Sequence, residues 1–78
     1  MDRISVESTT LASAGYDVGT QVLELEFRSG EIYRYAVVPE AIHRALLSAE
    51  SKGQFFNTNI RNCFSHARMI SAGSRKTI

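Results

Sequence analysis

The sequence predicts an α+β domain: a three- to four-stranded antiparallel β-meander followed by two α-helices packed on one face of the sheet. Three observations carry this. Within residues 21–27, Leu23, Leu25 and Phe27 alternate with Glu24 and Glu26, the mark of a half-buried strand. A second run, Ile32-Tyr33-Arg34-Tyr35-Ala36-Val37, resumes across Ser29-Gly30 and is rich in aromatic and β-branched residues. Beyond Pro39 the apolar period changes from two to that of a helix. At 78 residues the chain has room for one domain. Its hydrophobic content of 44% is too high for a disordered chain. The one cysteine excludes an internal disulfide, so the sheet and helices must supply the core.

Each element has its own reason. Within residues 1–7 only Ile4 and Val6 alternate, which fits an N-terminal arm or a short edge strand. Leu11 to Tyr16 is a weak strand of small residues, and Asp17-Val18-Gly19-Thr20 is a turn by composition. In the next strand Leu23, Leu25 and Phe27 take one face, and Glu24 and Glu26 take the other. The hairpin that follows has two possible registers, and a slip of one residue turns every side chain over. A two-residue loop at Ser29-Gly30 pairs Leu25 with Arg34 and puts Tyr33 and Tyr35 outside. A three-residue loop, Arg28-Ser29-Gly30 with a left-handed glycine, pairs Leu25 with Tyr33 and Leu23 with Tyr35. The composition favours the second, because the primed two-residue turns prefer Asn-Gly or a leading glycine. Both tyrosine rings then face the core, and Arg34 points out among Glu24 and Glu26.

Pro39 suits the first position of a helix, where a missing N–H costs nothing. Val38, Ile42, Ala45, Leu46 and Ala49 give this helix an apolar stripe, and Glu40 complements its dipole. Ser51 followed by Gln54 forms a capping box that starts a second helix. Its predicted stripe is Phe56, Ile60, Cys63 and Phe64. A domain at 8–64 is therefore expected, with a flexible basic tail over 65–78.

Charge divides the chain. Residues 1–50 hold all eight acids against four cations, a balance of −4; residues 51–78 hold five cations and no acid, giving +5. Such asymmetry points to nucleic acid or, more plainly, to a solvated tail. Lys52, Gly53, Asn57, Arg61 and Arg68 form the candidate phosphate-binding strip. Lys52 and Arg61 are nine residues apart, about two and a half helical turns, and so share a side. The competing reading is a capped helix with a solvated face. With four to five cations engaged, affinity would fall with salt at a log–log slope near −3 on single strands. Tyr33, Tyr35 and Phe55 are candidate stacking rings, although core packing is the simpler role for the two tyrosines and packing against a strand edge the simpler one for Phe55.

Other chemistries have little support. Cys63 and His66 have a C-x-x-H spacing, but only His43 could join them, short of the ligands zinc needs; no metal or cofactor is expected, and Cys63 reads as a small core residue. No nucleophile with a base and an orienting acid is recognisable, and no phosphate-cradling glycine loop, so an enzyme is not expected. Residues 1–5 lack a long apolar run, nothing approaches the ~20 apolar residues of a membrane span, and the expected location is cytoplasmic.

Taken in order, Tyr16-Asp17, Leu23-Glu24-Leu25-Glu26-Phe27, Gly30, Tyr33 and Tyr35, Val38-Pro39, and Ser51-Lys52-Gly53-Gln54-Phe55-Phe56-Asn57 with Ile60-Arg61 resemble the KTSC domain. The resemblance runs from about Ser8 to Phe64. That family is named for the C-terminal extension of some lysyl-tRNA synthetases and also occurs as small free-standing bacterial proteins. The resemblance implies RNA contact and carries over no catalytic residues. The expected function is a non-catalytic RNA-binding module that meets phosphates along the second helix. The alternative is a protein-interaction module that adds a strand at a sheet edge or forms a homodimer through Phe55.

Overall fold

A computed structural model describes residues 3–69. Its elements are β1 (Arg3–Ser5), β2 (Leu11–Asp17), β3 (Val22–Phe27), β4 (Ile32–Tyr35), α1 (Glu40–Ser48), α2 (Lys52–Asn59) and β5 (His66–Met69). The five strands form one antiparallel sheet in the order β1-β2-β3-β4-β5. The α+β class is as expected, with one strand more than the longest meander predicted. That strand comes from the presumed tail. His66–Met69 pairs with β4, so ordered structure extends past residue 64, while residues 70–78 lie outside the described part.

The hairpin adopts the three-residue register. Leu25 is opposite Tyr33 and Leu23 is opposite Tyr35. Gly30 has φ +98°, a left-handed conformation that a side chain would resist. Across β4 and β5, Tyr33 faces Arg68 and Tyr35 faces His66, so these four side chains share the sheet face that carries Leu23 and Leu25.

That face holds the core. Leu11, Ala14, Leu23, Leu25 and Tyr35 from the sheet are buried with Val38, Leu46, Phe56 and Ile60. Seven of these nine residues are aliphatic side chains exposed by 1% or less, so water is excluded from the space between sheet and helices. Pro39 is the N-cap of α1 and not its first residue, so the helix starts one residue later than predicted, and its stripe is narrower: Leu46 is buried and Ile42 half-buried, but Ala45 is exposed. Ser51 caps α2 by accepting a hydrogen bond from the Gln54 amide at 3.3 Å.

Helix α2 ends at Asn59, earlier than the apolar spacing suggested. Asn57-Thr58-Asn59 is a run of weak helix formers, and Ile60 leaves the helix with φ −122°. Ile60 still reaches the core, but Cys63, expected inside, is an exposed free thiol, and Phe64 is half-buried.

The second sheet face has no helix over it. There Glu24 is nevertheless only 6% exposed, because Arg3 and Arg34 close over it from β1 and β4. Ser13 donates to Glu26 at 2.8 Å on the same face. At the end of the sheet Val37 has φ +56° and is 68% exposed, an unusual conformation for a β-branched side chain.

Candidate nucleic-acid interface

The sheet extends sideways beyond the helix that covers it. Phe56 of α2 packs edge-on against Phe27 and Tyr35, with ring centroids 5.2 and 5.8 Å apart. The outer part of β4 and all of β5 continue past this contact. Between them and the turn after α2 lies a groove of about 460 Å³. Tyr33, Tyr35 and His66 line its sheet side, Asn57, Arg61 and Asn62 line its helix side, and one carboxylate, Glu31, borders it where it pairs with Arg68.

The rings are held against one another. His66 lies 5.7 Å from Tyr33 and 5.4 Å from Tyr35, centroid to centroid. Tyr35 is buried, and this burial pushes its hydroxyl up to about 12; Tyr33 adds to the rise and the Arg61 guanidinium opposes it. Tyr33 is half-buried and His66 is exposed, so these two present ring surface to the groove. Tyr35 supports them from the core, as the favoured hairpin register implied.

Arg61 is exposed, and its guanidinium donates to Asn57 Oδ1 at 3.4 Å. It sits on the turn after α2, so the predicted helical spacing to Lys52 does not hold. Its backbone N–H, like that of Ile60, points back to the Phe56 carbonyl. Arg68 comes from β5 and lies 3.4 Å from Glu31, with the two side chains 63% and 43% exposed. An ion pair this exposed is worth little, about 0–1 kcal/mol.

The rest of the predicted strip lies elsewhere. Lys52 donates to the Ala49 carbonyl at 3.1 Å, closing the end of α1. It lines a separate cleft with Glu7 and Glu50, whose carboxylates oppose an anion. Gly53 is buried: a Cβ there would stand 2.5 Å from Thr10 Oγ1. Its missing side chain admits the protein's own Thr10 where an approach by ligand backbone had been expected. Phe55 faces a third, shallow cleft with Ala49, Thr58 and Asn59. Asn57 and Thr10 border both the Lys52 cleft and the aromatic groove. The structure thus brings together Asn57, Arg61, Tyr33 and Tyr35, with Arg68 alongside, and separates Lys52, Gly53 and Phe55 from them.

His66 was missed as a groove residue. The sequence offered only its spacing from Cys63, whereas its place depends on pairing with Tyr35 across the sheet. Among the described residues, no group of three His, Cys, Asp or Glu side chains is gathered as metal ligands. No helix there is long and apolar enough to cross a membrane.

A five-stranded antiparallel sheet with two helices on one face and an aromatic groove at their margin defines a small α+β module. The family model of the KTSC domain matches residues 7–64, and the chain belongs to that family. It is 49% identical over 57 residues to an uncharacterised protein of Stutzerimonas stutzeri, covering 73% of this chain and 80% of that one. It is 40% identical over 58 residues to a lysine–tRNA ligase of Nostoc punctiforme, covering 74% of this chain and 10% of the ligase. The crystal structure of a KTSC domain protein from Yersinia pestis superposes with a TM-score of 0.85 at 38% identity. That match covers 87% of this chain and 96% of the other.

Proposed function

We propose that the chain is a non-catalytic RNA-binding module that meets the phosphate backbone through Arg61 and Arg68 at the rim of the aromatic groove. The observation that carries this reading is the convergence of Asn57, Arg61, Tyr33 and Tyr35 on one groove, with Arg68 beside it. Arg61 is exposed and oriented by Asn57, and a guanidinium held this way suits a phosphate oxygen pair. Arg68 can exchange its exposed carboxylate partner for a phosphate at small cost. The likeness to a segment of a ligase named for tRNA supports the same ligand class.

The test is fluorescence anisotropy with labelled single-stranded RNA of mixed sequence, starting at low salt. Arg61→Ala should weaken binding several-fold and flatten the log–log salt slope by about 0.7. No binding at low salt, or unchanged binding by the Arg61→Ala/Arg68→Ala double variant, removes the proposal.

A second reading has its own observation. The outer edges of β1 and β5 have no strand neighbour among the described residues, and such edges accept an added strand from a partner or a second copy. A monomer by light scattering at high concentration would remove the homodimer version.

A further inference from the structure

We propose that the groove between β5 and the turn after α2 receives one unpaired base of a single-stranded RNA in the angle between the tilted rings of Tyr33 and His66, flat on one and edge-on to the other, with Arg61 on the adjoining phosphate. The inference rests on the RNA-binding reading and adds what that reading leaves open, namely the form of RNA and the part of it that enters the protein.

The size fits. About 460 Å³ lies within the ~300–1,000 Å³ typical of small-ligand clefts, a volume that takes in a base and not a duplex. The surfaces fit as well. Tyr33 is half-buried and His66 exposed, and their rings are tilted 55° to each other, so a base that lies flat on one meets the other edge-on. The Asn57 and Asn62 amides stand at the opening, where they can meet the polar edge of a base. Arg61 is tied to Asn57, so the cation lies next to that opening.

A paired base has its faces covered by neighbours and its edge taken, so only an unpaired one can enter. The site also depends on β5. His66 and Arg68 both come from that strand, and each sits opposite a tyrosine of β4. A chain without β5 would keep Arg61 and lose half of the stacking surface.

The experiment uses the full chain with a 16-nucleotide RNA of mixed, G- and C-containing sequence carrying one central 2-aminopurine, either alone or annealed to its complement. Stacking on an aromatic ring changes the emission of 2-aminopurine. The single strand should bind at least tenfold more tightly than the duplex and show that change. Tyr33→Leu and His66→Leu should each weaken single-strand binding about tenfold, while Tyr33→Phe, which keeps the ring, should bind like the native chain. His66 is exposed, so its substitution leaves the core intact, and circular dichroism verifies the fold of each variant. Equal affinity for duplex and single strand overturns the base pocket. So does native-like binding by both leucine variants while Arg61→Ala still weakens it; in that case the phosphate-contact reading survives alone. If neither form of RNA binds at low salt, both readings fall together.

Discussion

Glu24 shows how a single carboxylate can secure a sheet face that no helix covers. Its side chain is 8% exposed and accepts hydrogen bonds from Arg34, at 2.8 Å, and from Arg3. Burial on its own would raise the carboxyl pKa, but the two guanidiniums outweigh burial and hold it below the usual range. A folded-state pKa below the unfolded one stabilises fully above the unfolded value, ~4.3, and this contribution is lost as pH falls through the folded value. Glu24→Gln should therefore cost about 1–2 kcal/mol at neutral pH, a figure discounted for the exposed arginines, and much less near pH 3. Urea denaturation at the two pH values checks this. Gly53 makes a different point. Alanine is the better helix former, yet its Cβ would collide with Thr10, so Gly53→Ala should lower stability by about 1 kcal/mol. Adding Thr10→Ala should restore most of the loss in a thermal melt. At Val37 the backbone argues the opposite way. With φ +56° and 68% exposure, Val37→Gly should gain about 1 kcal/mol, which is roughly 4–8 °C in Tm for a domain of this size. The tyrosine orientation was legible because Gly30 and the loop composition selected the register. The Val37 conformation was not, since nothing in Ala36-Val37-Val38 marks a positive φ.

At the level of elements, the clear strands and both helix starts followed from local signals: alternation, Pro39 and the Ser51 cap. Two features escaped. Helix α2 stops at Asn59 although apolar residues continue at helical spacing to Phe64, because the polar Asn57-Thr58-Asn59 segment weakens the helix before that spacing can be used. Strand β5 was hard to see because the alternation of His66-Ala67-Arg68-Met69 spans only four residues, with a small alanine and no β-branched side chain to mark a buried face. It forms because the outer edge of β4 presents backbone donors and acceptors that need partners. An element held mainly by such a ladder, with three of its four residues exposed, should open readily. Hydrogen exchange should show the β5 amides exchanging at least a hundredfold faster than those of β3, whose Leu23, Glu24 and Leu25 are buried. Equal protection of the two strands would mean that β5 belongs to the cooperative core.

Across the whole molecule, the acidic first part and the basic second part do not remain apart. The meander sets β5 against β4 and brings Arg68 to Glu31. Lys52 turns to a backbone carbonyl, so of the cations first grouped as a strip only Arg61 lines the groove, with Arg68 next to it on β5, opposite Tyr33. The charge division was legible in the sequence, but the one ion pair that crosses it among the described residues, Arg68 with Glu31, was not, because that requires the pairing of β5. The consequence can be measured. Two engaged guanidiniums give a log–log salt slope near −1.4 on single-stranded RNA, half the value of the uninterrupted strip. A measured slope of −3 or steeper would show that further cations take part.

Cys63 gives this surface a practical handle. It is the sole thiol in the sequence, it is open to solvent, and it stands in the short connection between Arg61 and His66. An environment-sensitive dye coupled there by maleimide would sit at the mouth of the aromatic recess without altering any residue that lines it. Its emission could then follow the filling of that recess by any candidate, with no label on the oligonucleotide.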